Sequence, residues 1–138
     1  MPKDIQQWEA VKETSLTVSG GATPSATGEA LDFGKVDSNF SLILENSGQS
    51  DDLSVTYQIG YLEKGMTEEQ AKRNPDDFLK WITPADGGAV SSLTNVDCAG
   101  SAAHASLSLA VGKFYRFIVT NNSATKTATI RLSIIAQF

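Results

Sequence analysis

The stretch Lys113–Phe138, KFYRFIVTNNSATKTATIRLSIIAQF, decides the fold. In its first half Tyr115, Phe117 and Val119 alternate with Phe114, Arg116 and Ile118. In its second half Ala128, Ile130, Leu132, Ile134 and Ala136 fall on one side, and Thr127, Thr129, Arg131 and Ser133 on the other. A period of two sends successive side chains to opposite faces of a sheet, so both halves are predicted strands. The break between them, Asn121 to Lys126, is built from Asn, Ser and Thr, which favour turns. Strand, polar turn and strand together predict a β-hairpin at the core of a β-sandwich.

The same signature recurs upstream. Leu53, Val55, Tyr57, Ile59 and Tyr61 share one face of a predicted strand, with Ser54, Thr56, Gln58 and Gly60 on the other. Phe40, Leu42 and Leu44 mark a second strand over 39–45. The polar stretch Asn46 to Asp52 separates the two and predicts a second antiparallel hairpin. Weaker strands are expected at Ser15–Ser19, Glu29–Phe33, Val90–Val96 and His104–Ala110, with loops at Gly20–Gly28 and Asp86–Gly88. Between Met66 and Ile82 the alternation stops. Thr67-Glu68-Glu69-Gln70 fits a capping box, Asn74-Pro75-Asp76-Asp77 a second helix start, and Pro84 a stop. A short helical insertion over 66–82 follows, with Trp81 covering an open end of the sandwich or facing a partner. The chain therefore reads as all-β: an antiparallel β-sandwich or jelly roll of about seven or eight strands. Strands this closely spaced, without helices between them, argue against a doubly wound α/β fold.

The length, 138 residues, suits one domain. The expected organisation is an N-terminal arm over 1–14 and a single sandwich domain over 15–138. In the arm Ile5, Trp8 and Val11 recur every third residue, which fits a short helix or 3₁₀ turn that needs a docking surface to persist. The arm is expected either to fray or to lay Ile5 and Trp8 on its own sandwich or on a neighbouring subunit. The last strand runs to Phe138, so that ring is expected to be packed or at a contact.

Hydrophobic residues make up 41% and charged residues 20%, a globular balance. The net charge of −5 argues against nucleic-acid binding, which needs a basic face, and lends no support to an anionic membrane surface. No apolar run approaches the roughly 20 residues that span a bilayer, and no charged-then-apolar leader opens the sequence. Synthesis in a reducing cytoplasm without a signal peptide is the corresponding expectation.

Chemistry finds little to use. Cys98 is the single cysteine, so an intrachain disulfide and a cysteine zinc site are excluded. His104 is the single histidine, and any Ser-His-Asp or Cys-His device must use it. No nucleophile elbow surrounds a serine. The pairs Asp51-Asp52 and Asp76-Asp77 lack the alternate-position spacing of a calcium loop, and Gly20-Gly21 and Gly87-Gly88 lack the lysine of a phosphate loop. No catalytic set, metal or cofactor is expected, and the chain does not read as an enzyme. Trp8, Tyr57, Tyr61, Trp81 and Tyr115 are the rings from which a sugar platform could be made.

The strand order LDFG (Leu31 to Gly34), FSLILEN, LSVTYQIGY, KFYRFIVTNN and TATIRLSIIAQF resembles small β-sandwich structural proteins of tailed bacteriophages, especially jelly-roll head decoration or cement proteins. The resemblance covers Leu31 to Phe138 and leaves out the N-terminal arm and the 66–82 insertion. It implies a virion location, no active site and a host-cytoplasm origin. It also implies protein partners: a major capsid protein and further copies of the chain itself. Ile5, Trp8, Trp81 and Phe138 are then the candidate interface residues. The alternative is a carbohydrate- or receptor-binding module of a tail fibre or tail tip, with Trp81 on the ligand.

Overall fold

A computed structural model describes residues 5–18, 23–32, 40–107 and 114–137. Nine strands lie within them: β1 (Ile5–Leu16), β2 (Ser25–Thr27), β3 (Leu31–Asp32), β4 (Phe40–Asn46), β5 (Leu53–Leu62), β6 (Leu79–Ile82), β7 (Ser101–Leu107), β8 (Phe114–Asn121) and β9 (Ala128–Gln137). Two short helices, α1 (Glu68–Arg73) and α2 (Pro75–Phe78), stand between β5 and β6. One sheet has the order β1-β9-β4-β7, and the other has β2-β8-β5-β6, with β3 also on β8. All pairings between strands are antiparallel.

β2 and β3 are two halves of one bulged strand. Thr27 pairs with Ile118 and Leu31 with Tyr115, so four steps on one side match three on the other. Counted this way there are eight strand positions, and their pairing is nested. The first pairs with the last (β1 with β9), the second with the seventh (β2/β3 with β8), β4 with β7 and β5 with β6. One long hairpin folded over on itself gives this order, which is that of a jelly roll. The all-β sandwich expected from the alternation is what the chain forms.

Both predicted hairpins are corrected. β8 and β9 lie in opposite sheets, and so do β4 and β5. The links 122–127 and 47–52 cross the sandwich instead of turning back beside their own strand. Alternation shows which face of a strand is apolar. Two strands side by side and two strands face to face across a core produce the same pattern, so periodicity alone does not separate them.

The helical reading of the N-terminal segment is also corrected. Residues 5–16 are one strand, and the boundary expected at Ser15 falls inside it. The register of β1 on β9 slips after Glu9 and again after Val11. Each slip resets the alternation, which brings Ala10, Val11 and Leu16 all into the core and mimics a period near three. Two other segments differ in the same local way. Leu79–Ile82 is strand β6 and not helix, and Val90–Val96 holds a 3₁₀ turn at Ser91–Leu93 between single bridges from Ala89 to Thr56 and from Val96 to Leu53. The capping box forms as expected: Gln70 N–H donates to Thr67 Oγ1 at 3.3 Å, and Thr67 N–H donates to Gln70 Oε1 at 2.9 Å.

The main core lies between the sheets and includes Leu42, Leu44, Leu53, Val55, Phe117, Val119, Ile130, Leu132 and Ile134, all fully buried. A second cluster, Ala71, Leu79 and Phe114 with Leu62, Phe78 and Trp81 against it, sits apart from this core. Gly60 pairs with Trp81 and Phe114, on the face of β5 opposite Ile59 and Tyr57. The helical insertion therefore covers the outer face of the second sheet. Trp81 belongs to that cover and not to an open end of the sandwich.

Candidate functional site

Strand direction alternates through the fold, so the molecule has two distinct ends. One carries the crossing links 47–52 and 122–127. The other carries the start of β1, the end of β5 with α1 and α2, and the end of β9.

The first end is locked by polar groups inside the protein. Asn46, Ser50 and Asn121 are essentially inaccessible to solvent. Ser50 Oγ donates to Asn121 Oδ1 at 2.6 Å, and Asn46 Nδ2 donates to the Ser50 carbonyl at 3.0 Å. Asn121 Nδ2 donates to the carbonyls of Leu16 at 3.0 Å and Lys126 at 2.9 Å. Asn46 Oδ1 accepts from the N–H groups of Gly48 at 2.8 Å and Thr129 at 3.2 Å. Chain that crosses between sheets leaves backbone groups without a ladder partner, and buried amides supply the partners. Sequence reading took these residues for exposed turn chemistry. No local signal separates the two cases, because the same residue types serve an exposed turn and a buried backbone cap.

Toward the second end, beside the charged and exposed helix α1, three large apolar side chains are exposed. Ile5 is 67% exposed, Ile82 54% and Tyr61 47%. Tyr61 and Ile82 are diagonal neighbours on one face of the β5–β6 pair, since Ile59 opposes Ile82 and Lys80 opposes Tyr61. That face is the core side of the sheet, shared with Ile59.

The candidate interface residues do not form one site. Ile5 opposes Gln137 and Trp8 opposes Ile134, so the two point to opposite faces of β1. Ile5 is exposed, and Trp8 is half-buried against the main core. Trp81 lies at the margin of the other sheet. Its ring covers Gly60, where an added Cβ would come within 2.9 Å of it, and the Arg116 guanidinium stacks 4.4 Å from its centroid. Phe138 lies outside the described residues. Tyr61 and Ile82 were missed because alternation assigned Tyr61 to the core face, and the sequence does not show where the opposing sheet ends.

His104 and Cys98 are kept apart by their surroundings. His104 stands exposed on β7, whereas Cys98 is buried before it. Burial, and secondarily the adjacent Asp97 carboxylate, push the Cys98 thiol up from its ordinary range. Among the described residues no group of three or more His, Cys, Asp and Glu is placed to hold a metal ion. No helix among them is long and apolar enough to cross a membrane. A cleft of about 240 Å³ between β1 and β2 is lined by Glu9, Lys12, Thr14, Thr27 and Glu29. It falls below the roughly 300–1,000 Å³ of ordinary small-ligand pockets.

The four sheet margins differ. β1 is bulged twice and carries Glu9, Lys12 and Glu13. β2/β3 is interrupted at Gly28. β6 has four residues and continues only as an irregular segment along β5. β7 is seven residues long and pairs with β4 without a break.

No protein-family model and no curated protein sequence matches the chain. Among solved structures it is similar to a chain from the infectious bursal disease virus Gx strain, at 14% identity with a TM-score of 0.48. The match covers 99% of this chain and 32% of that one, so the chain spans about a third of its neighbour's length.

Proposed function

We propose that this chain is a virion structural protein that decorates or cements the capsid of a tailed bacteriophage through contacts with the major capsid protein and with further copies of itself. The observation that carries this reading is the two-ended build of the jelly roll. One end is tied by buried amides, and the other exposes Ile5, Tyr61 and Ile82. A compact module that exposes large apolar side chains suits a part that is placed on a lattice. The strand order resembling phage decoration proteins supports the same reading, and the step from fold to function is made by analogy.

The test is sedimentation of particles from the source that encodes the chain, with the variants Tyr61→Ser and Ile82→Ser. Wild type is expected to travel with particles, and the double variant to remain at the top of the gradient with unchanged stability. Wild-type protein absent from every particle fraction would overturn the reading. The receptor-binding alternative draws on Tyr61 more than on Trp81, because Arg116 already stacks on the Trp81 ring. It expects Tyr61→Ala to lose glycan or cell binding while particle association persists.

A further inference from the structure

We propose that β7 is a self-association edge. Two copies of the chain pair antiparallel through it and join their four-stranded sheets into one eight-stranded sheet, about a two-fold axis at His104. The proposal names a surface for the homo-oligomer part of the proposed function, but it stands on the strand edge and not on the virion reading.

An edge strand presents N–H and C=O groups with no partner on one side, and proteins ordinarily blunt such edges with charge, proline, bulges or brevity. Three of the four margins here are blunted in these ways: two bulges and charged residues on β1, an interruption in β2/β3, and brevity with an irregular continuation at β6. Along β7 itself there is no charge, proline or bulge, and apart from β4 the only described segment beside it is the 3₁₀ turn, near Ser106. The sequence of β7, SAAHASL, contains no lysine, arginine, carboxylate or proline. Its register on β4 runs unbroken from Ser101 opposite Asn46 to Leu107 opposite Phe40. Among the described residues it pairs with β4 alone. The 3₁₀ turn at Ser91–Leu93 closes the sandwich nearby with Leu93 fully buried.

The pattern of β7 selects a second copy as the occupant. His104 is the middle residue of the seven. Antiparallel pairing about it sets Ala103 against Ala105 and Ala102 against the partner's Ser106, small residue against small residue. Ala102, His104 and Ser106 are exposed on the outer face of the strand, and among the described residues Ser91 and Ser92 approach it only beside Ser106. A chain with a net charge of −5 repels its own copies, and an uncharged strand is a margin where that repulsion is least. A two-fold contact of this kind is closed, which stops pairing at the dimer.

Sedimentation velocity over a concentration series tests this with purified full-length protein and no particle. The variant Ala102→Lys with Ser106→Lys places lysine opposite lysine twice across the axis. Ala102→Glu with Ser106→Lys places glutamate opposite lysine twice. Wild type and the Glu/Lys variant are expected to dimerise. The Lys/Lys variant is expected to show at least about a tenfold higher dissociation constant with an unchanged circular dichroism spectrum. If the Lys/Lys variant does not fold, His104→Lys, which sets lysine against lysine on the axis, replaces it with the same expectation. A wild type that stays monomeric at every soluble concentration would overturn the proposal. So would a Lys/Lys variant that dimerises like wild type, or a folded Glu/Lys variant that remains monomeric. A wild type that dimerises yet is absent from every particle fraction would instead count against the virion reading alone.

Discussion

Asn121 ties three segments through one side chain: the end of β1 through the Leu16 carbonyl, the crossing link through the Lys126 carbonyl, and Ser50 through its hydroxyl. Truncation leaves several buried groups unpaired at once, and each such group costs about 1–3 kcal/mol. Asn121→Ala is expected to lose at least about 2 kcal/mol by chemical denaturation, whereas its exposed neighbour Asn122→Ala loses well under half of that. Ser133 is the converse case. Its hydroxyl is buried with no hydrogen-bond partner among the described residues. Ser133→Ala is therefore expected to be neutral or to stabilise by up to about 1 kcal/mol. A clear loss would mean that the hydroxyl has a partner. Gly28 is fixed by close approach, since a Cβ there would overlap the Ala10 carbonyl oxygen. The obstruction is β1 backbone and not the end of a flexible side chain, and Gly28→Ala is expected to lower the denaturation midpoint. Cys98 is expected to resist a thiol-specific disulfide reagent in the native state and to react once unfolded, because burial disfavours its thiolate. At this scale the exclusion of an intrachain disulfide needed only the number of cysteines, whereas the burial of Cys98 had no sequence signal. The sequence was misread for Asn46, Ser50 and Asn121, because an asparagine in an exposed turn and one that satisfies buried backbone look alike in sequence.

The strands themselves were legible where alternation was unbroken. β4, β5, β8 and β9 fall where the apolar period of two places them, and the facing on β9 follows it. Ile130, Leu132 and Ile134 are fully buried, while Thr129 and Arg131 lie on the other face, where Arg131 meets Glu9 at 2.9 Å and Glu45 at 3.6 Å. Ile130→Ala and Leu132→Ala are each expected to cost about 2–5 kcal/mol, as large-to-small core changes do. Thr129→Ala is expected to cost far less, with equilibrium unfolding as the check on both. Where bulges reset the period, as in β1, or where the strand was too short to alternate, as in β2, β3 and β6, the pattern failed. Recasting β1 as a sheet member changes what a truncation reports. Removing residues 1–11 takes away Ala10 and Val11 from the core and two thirds of the β1–β9 ladder. Such a truncation is expected to lower the unfolding midpoint whether or not a partner is present, so it does not isolate an arm.

Over the whole molecule, the nested pairing organises everything else. The crossing links put the buried amide network at one end, and the strand ends leave Ile5, Tyr61 and Ile82 at the other. Sandwich class was readable from composition and period because both depend on local burial. Which strand neighbours which was not, because nested pairing joins residues as distant as Ile5 and Gln137 and no local pattern encodes that. Interface residues were harder still, since exposure at a sheet end depends on where the opposing sheet stops. The most direct measurement is cryo-electron microscopy of particles from the source that encodes this chain. Jelly-roll density at lattice positions on the capsid, with the end bearing Tyr61 and Ile82 against the shell, is the expected result. Particles whose capsid lattice is fully accounted for by other chains, with no density of this shape, would contradict it.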